Sequence, residues 1–137
     1  MEWKKESPAC WDESKRRIVG GAPAGVFDLG PFADGEVLPG EWWRVEENGE
    51  ILGYGWMDIT WGDGEILLAV PADQEGKGVG TFILDRLEDE ARSHGLNYIY
   101  NQINPKHPDY EGVAAWLEGR RFHESSEGLL RRDVRRV

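Results

Sequence analysis

The sequence predicts an α/β sandwich with a mixed, largely antiparallel sheet. Three observations carry this expectation. Residues 41–70 hold three segments rich in aromatic and β-branched residues, separated by tight-turn signals. A long amphipathic helical pattern follows a glycine-rich loop. After that helix, strand and helix patterns alternate and close on a hairpin. The 137 residues read as one domain, 1–137, large enough for a single core without metal or disulfide staples.

The elements follow in order. Residues 1–40 are expected to be irregular apart from a short helix over Trp11–Val19, with Trp11, Ile18 and Val19 as its apolar positions. Gly20-Gly-Ala-Pro-Ala-Gly25 ends it, and Phe27 and Leu29 suggest a short strand. Glu41–Glu46 and Ile51–Trp61 read as strands around Asn48-Gly49, a strong hairpin signal. Gly62-Asp63-Gly64 reads as a second turn. Glu65-Ile-Leu-Leu-Ala-Val70 is an apolar run behind one acid, which suits a strand covered on both faces. These three strands form a meander. Past the loop at 71–80, a helix is expected over Val79–Ser93, with Val79, Phe82, Ile83, Leu87 and Ala91 on one face, Glu88 and Arg92 paired four apart, and Gly95 as its stop. Asn97–Ile103 is the next strand. Asp109 caps a short helix, Tyr110–Glu118, whose core face is Val113, Trp116 and Leu117. Phe122 and Gly128-Leu-Leu130 mark the final hairpin.

Charge and cysteine usage narrow the function. The net charge is −10, and it is uneven. Residues 1–19 are net +1, residues 120–137 net +3 and residues 20–119 net −14. An acidic body repels phosphate backbones, so nucleic acid is not an expected partner, whereas a small cationic molecule or basic peptide is. The same acidity also serves plain solubility. No apolar run reaches the ~18–20 residues that span a bilayer, so no membrane association is expected. The N-terminal residues lack the apolar segment of a signal peptide. The single cysteine, Cys10, has no base beside it in sequence and excludes a zinc site built on several thiolates; a cytoplasmic location fits. His107 and His123 lack metal-ligand spacing, so no metal is expected.

The most informative segment is Glu75-Gly-Lys-Gly-Val-Gly80, a glycine loop opening into a helix N-terminus. Glycines let backbone approach a ligand closely, and the unpaired N–H groups and positive dipole end favour a phosphate or pyrophosphate. The loop lacks the Gly-Lys-Ser/Thr ending of a P-loop, and an antiparallel meander precedes it rather than a βαβ unit.

Together with Glu65–Pro71, Asn97–Tyr100 and Ala114–Phe122, this loop resembles the GNAT superfamily of acyl-CoA-dependent N-acetyltransferases. The resemblance covers about residues 41–132, the expected acyl-CoA-binding core. It implies acetyl-CoA as cosubstrate in a cleft between the strands at 65–71 and 97–103. Leu68, Ala69 and Val70 would bond the pantetheine arm, and Glu75, Gly76, Lys77, Gly78, Val79, Gly80 and Thr81 would hold the pyrophosphate. Lys77 would be the positive partner of the phosphates, with Lys106 a further candidate.

Three departures stand out. Glu75 replaces a usual Gln or Arg. Leu117 occupies the position of a tyrosine that protonates the CoA thiolate in many members, and Tyr110 occupies that of an asparagine. The two helices that wall the acceptor site are scarcely visible, so the pocket is open, built differently or completed by a partner chain. The resemblance places a general base at Glu65, with Asp58 as second candidate. Tyr98 and Tyr100 share one strand face, and Tyr100 is the candidate replacement for the missing acid. Trp42, Trp43, Trp56 and Trp61 alternate between faces; any left exposed would line an acceptor site or a homodimer contact. Two functions are compatible with this pattern: acetyl transfer to a primary amine of a small acceptor or peptide, and non-catalytic acyl-CoA sensing.

Overall fold

A computed structural model describes residues 1–21, 31–126 and 128–136. The expected strand at Phe27 and Leu29 lies outside the described residues. The chain runs β1 (Glu2–Glu6), α1 (Glu13–Ile18), β2 (Glu41–Glu47), β3 (Glu50–Thr60), β4 (Asp63–Ala69), a 3-10 turn (Ala72–Gln74), α2 (Val79–Ser93), β5 (Tyr98–Gln102), α3 (Tyr110–Glu118), β6 (His123–Ser126) and β7 (Leu129–Asp133). The seven strands among the described residues form one sheet in the order β1-β2-β3-β4-β5-β7-β6. The β4–β5 pair is parallel and the other neighbouring pairs are antiparallel. The expected mixed, largely antiparallel sheet is therefore the one observed.

Strand β1 is the element missing from the sequence reading, which left residues 1–10 irregular. It is a charged edge strand with one partly buried aromatic, Trp3, so it carries almost no period-2 hydrophobic signal. Charged edges discourage pairing with other chains. Lys4 pairs with Glu46 and Lys5 with Glu41, each at 2.8 Å across the ladder to β2. Trp3 stacks on Trp43 with ring centres 5.6 Å apart.

The second correction concerns a turn. Instead of Gly62-Asp63-Gly64, the β3–β4 hairpin turns at Trp61-Gly62, with φ of 47° and 86°, and Thr60 pairs directly with Asp63. Two successive positive φ values give a loop whose twist matches the strands. Trp61 holds the first position although its side chain is fully exposed and unsupported by packing. Trp61→Asn should therefore stabilise the protein by about 0.5–1 kcal/mol, because asparagine tolerates left-handed backbone and no burial is lost. A rise in the urea midpoint at constant slope is the expected readout; a fall would show that Trp61 contributes contacts.

The main core lies between the sheet and α2 with α3. Val79, Ile83, Leu84, Leu87 and Ala91 of α2 pack against Met57, Ile66 and Ile99. On the opposite face α1 helps cover Trp42, Tyr54 and Trp56 with Ile18 and Val19. Ile66 belongs to the first core and Leu67 packs on the second, so β4 is covered on both faces there. Asp12 caps α1 by accepting from the Lys15 N–H at 2.9 Å. Lys15 is fully buried, paired with Glu6 at 2.5 Å and Asp12 at 3.1 Å. Trp11 packs on Phe32.

Candidate active site

The site begins where β4 and β5 part. The two strands pair only at Asp63–Tyr98, Gly64–Ile99 and Glu65–Tyr100. Beyond that row β4 continues to Ala69 and the strands diverge. Asn101 donates its side-chain N–H to the Ile66 carbonyl at 2.9 Å, filling the first gap in the ladder. The Ile66 carbonyl thus points toward β5. Strand backbone groups alternate sides, so the N–H and C=O of Leu68 point the same way, past the last paired residue.

A cleft of about 1170 Å³ opens from this divergence. Leu68, Ala69 and Val70 form one wall. Glu75, Gly76, Gly78, Gly80 and Thr81 form another. Eight of the ten residues expected at the cofactor thus line it. Lys77 is exposed on the loop outside these walls, and Val79 is 2% exposed in the core. The cations on the walls are instead Arg17 and Arg120. Arg120 lies 4.2 Å over the Trp116 ring and donates to the Thr81 hydroxyl at 2.8 Å. Sequence reasoning missed both arginines and the cleft-facing end of α1; their only signal is two basic termini on an acidic body.

The loop fits an anionic ligand. Gly78 precedes α2 at φ 85° and, as a glycine, provides no side-chain cap to the first-turn N–H groups. The first turn carries no acid. A Cβ at Gly76 or Gly78 would meet nothing within 4 Å, so the loop faces open space. Gly80 differs: a Cβ there would stand 2.8 Å from the Trp116 ring, so it is needed where α2 meets α3. Val113 and Trp116, expected in the core, are half-buried and face the cleft; the buried residues of α3 are Ala114 and Leu117.

Asp58, Glu65 and Tyr100 fall on one line across three strands. Asp58 pairs with Glu65, and Glu65 with Tyr100. Neighbouring strands lie about 4.8 Å apart, so the three side chains share a face within reach of one another. That face is opposite α2. Burial, reinforced by the Asp58 charge, holds the Glu65 carboxyl above its ordinary value. Burial and the Glu65 charge raise the Tyr100 phenol, which stays protonated at neutral pH. Tyr98 is also raised, chiefly by its hydrogen bond with Asp63. Tyr110 packs against the main core, and His94 contacts the Glu90 carbonyl at the end of α2. Trp42, Trp43 and Trp56 are buried, leaving Trp61 as the exposed member of that group. Among the described residues no cluster of His, Cys, Asp and Glu is placed to hold a metal, and no helix is long and apolar enough to cross a membrane.

Solved structures share this architecture. N-acetylglutamate synthase from Neisseria gonorrhoeae, complexed with coenzyme A and L-arginine, is 21% identical with a TM-score of 0.61; the match covers 69% of this chain and 25% of that one. An N-acetyltransferase from Staphylococcus aureus is 20% identical with a TM-score of 0.55, over 70% and 68%. The yncA protein of Salmonella typhimurium, with its cofactor acetyl-CoA, is 20% identical with a TM-score of 0.55, over 72% and 67%. A comparison with curated proteins gives no match. The family model described as the acetyltransferase (GNAT) family matches residues 3–110, from β1 through the diverging strands to the start of α3. With the glycine loop, the parted strands and this match in agreement, the chain belongs to the GNAT acetyltransferase family.

Proposed function

We propose that the protein transfers an acetyl group from acetyl-CoA to the primary amine of a small acceptor by direct attack. The observation that carries this reading is the placement of the Asp58–Glu65–Tyr100 row at the root of the β4–β5 divergence, beside an uncapped helix N-terminus. Acetyl-CoA supplies a thioester whose carbonyl carbon accepts the amine and whose thiol leaves. The first-turn N–H groups of α2 and the Arg120 guanidinium offer donors to the pyrophosphate. The Leu68 N–H faces the opening and offers a donor to the thioester oxygen, where negative charge develops. Glu65 takes a proton from the incoming ammonium, and its raised proton affinity suits that work. Tyr100, held protonated, donates to the departing sulfur, with solvent as the other donor.

Leu117 at the position of the family's usual tyrosine favours a second reading, a non-catalytic acyl-CoA sensor. It is 2% exposed in the core and does not line the cleft. Two measurements separate the readings. Acetyl-CoA at millimolar concentration should raise the melting temperature, and an amine panel should release free thiol. Stabilisation without turnover would select the sensor, and no stabilisation would overturn both. A cytoplasmic setting belongs to the same proposal and rests on the one free cysteine, Cys10.

The loop gives a sharper test. Gly78→Asp should weaken CoA binding roughly 100-fold or more, because its carboxylate would occupy the α2 donors and repel phosphate. A Cβ there meets nothing within 4 Å, but Gly78 sits at φ 85°, so Gly78→Asn, which carries a similar backbone cost without the charge, is the control and should keep far more of the affinity. Unchanged affinity would move the pyrophosphate elsewhere.

A further inference from the structure

The row that joins Asp58, Glu65 and Tyr100 does not end on β5. Tyr100 pairs with Arg131 on β7. Strand β7 alternates faces, and its two central arginines differ in what they meet. Arg132 points toward α2, is 3% exposed, and is matched by Glu88 at 2.7 Å and Asp85 at 2.8 Å. Arg131 points to the other face, with its side chain 37% exposed. Among the described residues the carboxylate within 4 Å of it is Asp133, at 3.9 Å and beyond hydrogen-bond reach; its buried Nε has no hydrogen-bond partner there, and the guanidinium hydrogen-bonds the Tyr98 hydroxyl. The guanidinium lies over Tyr98, 4.5 Å from the ring centre, and Tyr98 meets Tyr100 edge to face at 6.1 Å. Stacking holds the guanidinium over β5 beside the Tyr98–Asp63 pair, one same-face row along from Tyr100 and Glu65.

This face thus carries Asp58 and Glu65 in the row of Tyr100, Asp63 tied to the Tyr98 hydroxyl in the next row, and a stacked guanidinium on the far side of the tyrosines. Backbone spacing separates β4 from β7 by about 10 Å, and the two side chains close part of that gap. A plain amine uses only the acidic end. A molecule with an ammonium and a carboxylate a few bonds apart uses both, and the acids repel its carboxylate toward Arg131.

We infer that the acceptor is a small amino acid, with its ammonium at Asp58 and Glu65 and its carboxylate on Arg131. The inference rests on the transfer reaction proposed above and names its substrate class. Arginine is suited to this role because its fork pairs with both carboxylate oxygens and stacking fixes its orientation beforehand. The aromatic floor excludes water from one side of the pair.

The experiment compares each of the common α-amino acids with its own carboxamide, using free-thiol release from acetyl-CoA by the full chain. At least one amino acid should exceed its amide roughly 10–100-fold in kcat/KM, the range of a charge-assisted pair. Arg131→Ala should erase that preference through KM, with the amide and kcat little changed, and Arg131→Lys should restore part of it. Amides as good as the acids throughout, or an Arg131→Ala loss equal for acid and amide, would overturn the assignment. If no amine at all releases thiol, the transfer reaction itself fails. The same amino acids titrated onto the CoA-loaded protein and followed by NMR then decide the site. Binding lost in Arg131→Ala sustains it, and no Arg131-dependent binding refutes it.

Discussion

Glu88→Ala is expected to destabilise the fold by about 3–5 kcal/mol, the cost of leaving a buried ion without its partner. Glu88 lies inside α2 and is 2% exposed. Its carboxylate accepts from Arg132 at 2.7 Å, Arg92 at 2.8 Å, the Arg135 N–H at 3.0 Å and Arg121. Removing it strands Arg132, which then keeps only the half-exposed Asp85. Burial alone would raise the Glu88 carboxyl, but the Arg135 N–H, the Arg121 hydrogen bond and the charges of Arg132 and Arg121 outweigh it and hold the group below its usual range. A depressed folded value sets the sign of the pH dependence. The stabilisation is complete above the ordinary carboxyl value near 4.5 and is lost as pH falls through the lower folded one. The alanine variant should therefore show a large drop in the urea midpoint at pH 7 and a smaller difference from the parent at low pH. A loss under 1 kcal/mol at pH 7 would mean that the arginines find water or other acids.

Glu88 also shows where sequence reading stops. Its pairing with Arg92 follows from helical spacing, and that contact exists. Its other partners arrive from residues 33–47 positions away, which no local pattern records. Local features were legible: α2 spans Val79–Ser93 because period, preceding glycine and terminal Gly95 agree, and α3 starts at Tyr110 because Asp109 accepts from the Gly112 N–H. The candidate site divides the same way. The glycine loop announces itself by composition. The pairing of Asp58 with Glu65 depends on where the hairpin turns, and a turn at 62–64 would not have set them opposite each other. Glu65 and Tyr100 meet only through a parallel pairing across a 35-residue interval, as do Arg17 and Arg120 through the convergence of α1 and α3 on one cleft. Charge at the termini hints at the arginines without saying where they fold.

Glu65→Gln should lower kcat at neutral pH by roughly 10–10⁴-fold, since a positioned general base contributes ~10²–10⁴-fold and a water chain can recover part of it. CoA affinity should barely move, because Glu65 lies on the sheet face opposite α2 while the pyrophosphate loop opens at the α2 N-terminus. The pH profile separates a base from a structural acid. Glu65 works only when deprotonated, so the parent's rate should rise with pH through its raised carboxyl value and then level. In Glu65→Gln that rise should vanish, and the rate should climb only as the acceptor's own amine loses its proton, narrowing the defect at high pH. Asp58 supplies a second handle. Its charge helps raise Glu65, so Asp58→Asn should move the parent's acidic limb to lower pH while leaving CoA binding intact. A limb that stays in place would mean that burial alone sets Glu65, and a Glu65→Gln enzyme with unchanged rate from about pH 6 to 9 would assign the proton to another group. The two shifts run in different directions of cause: one removes the base and the other retunes it. Only an enzyme that uses Glu65 as the base responds to both.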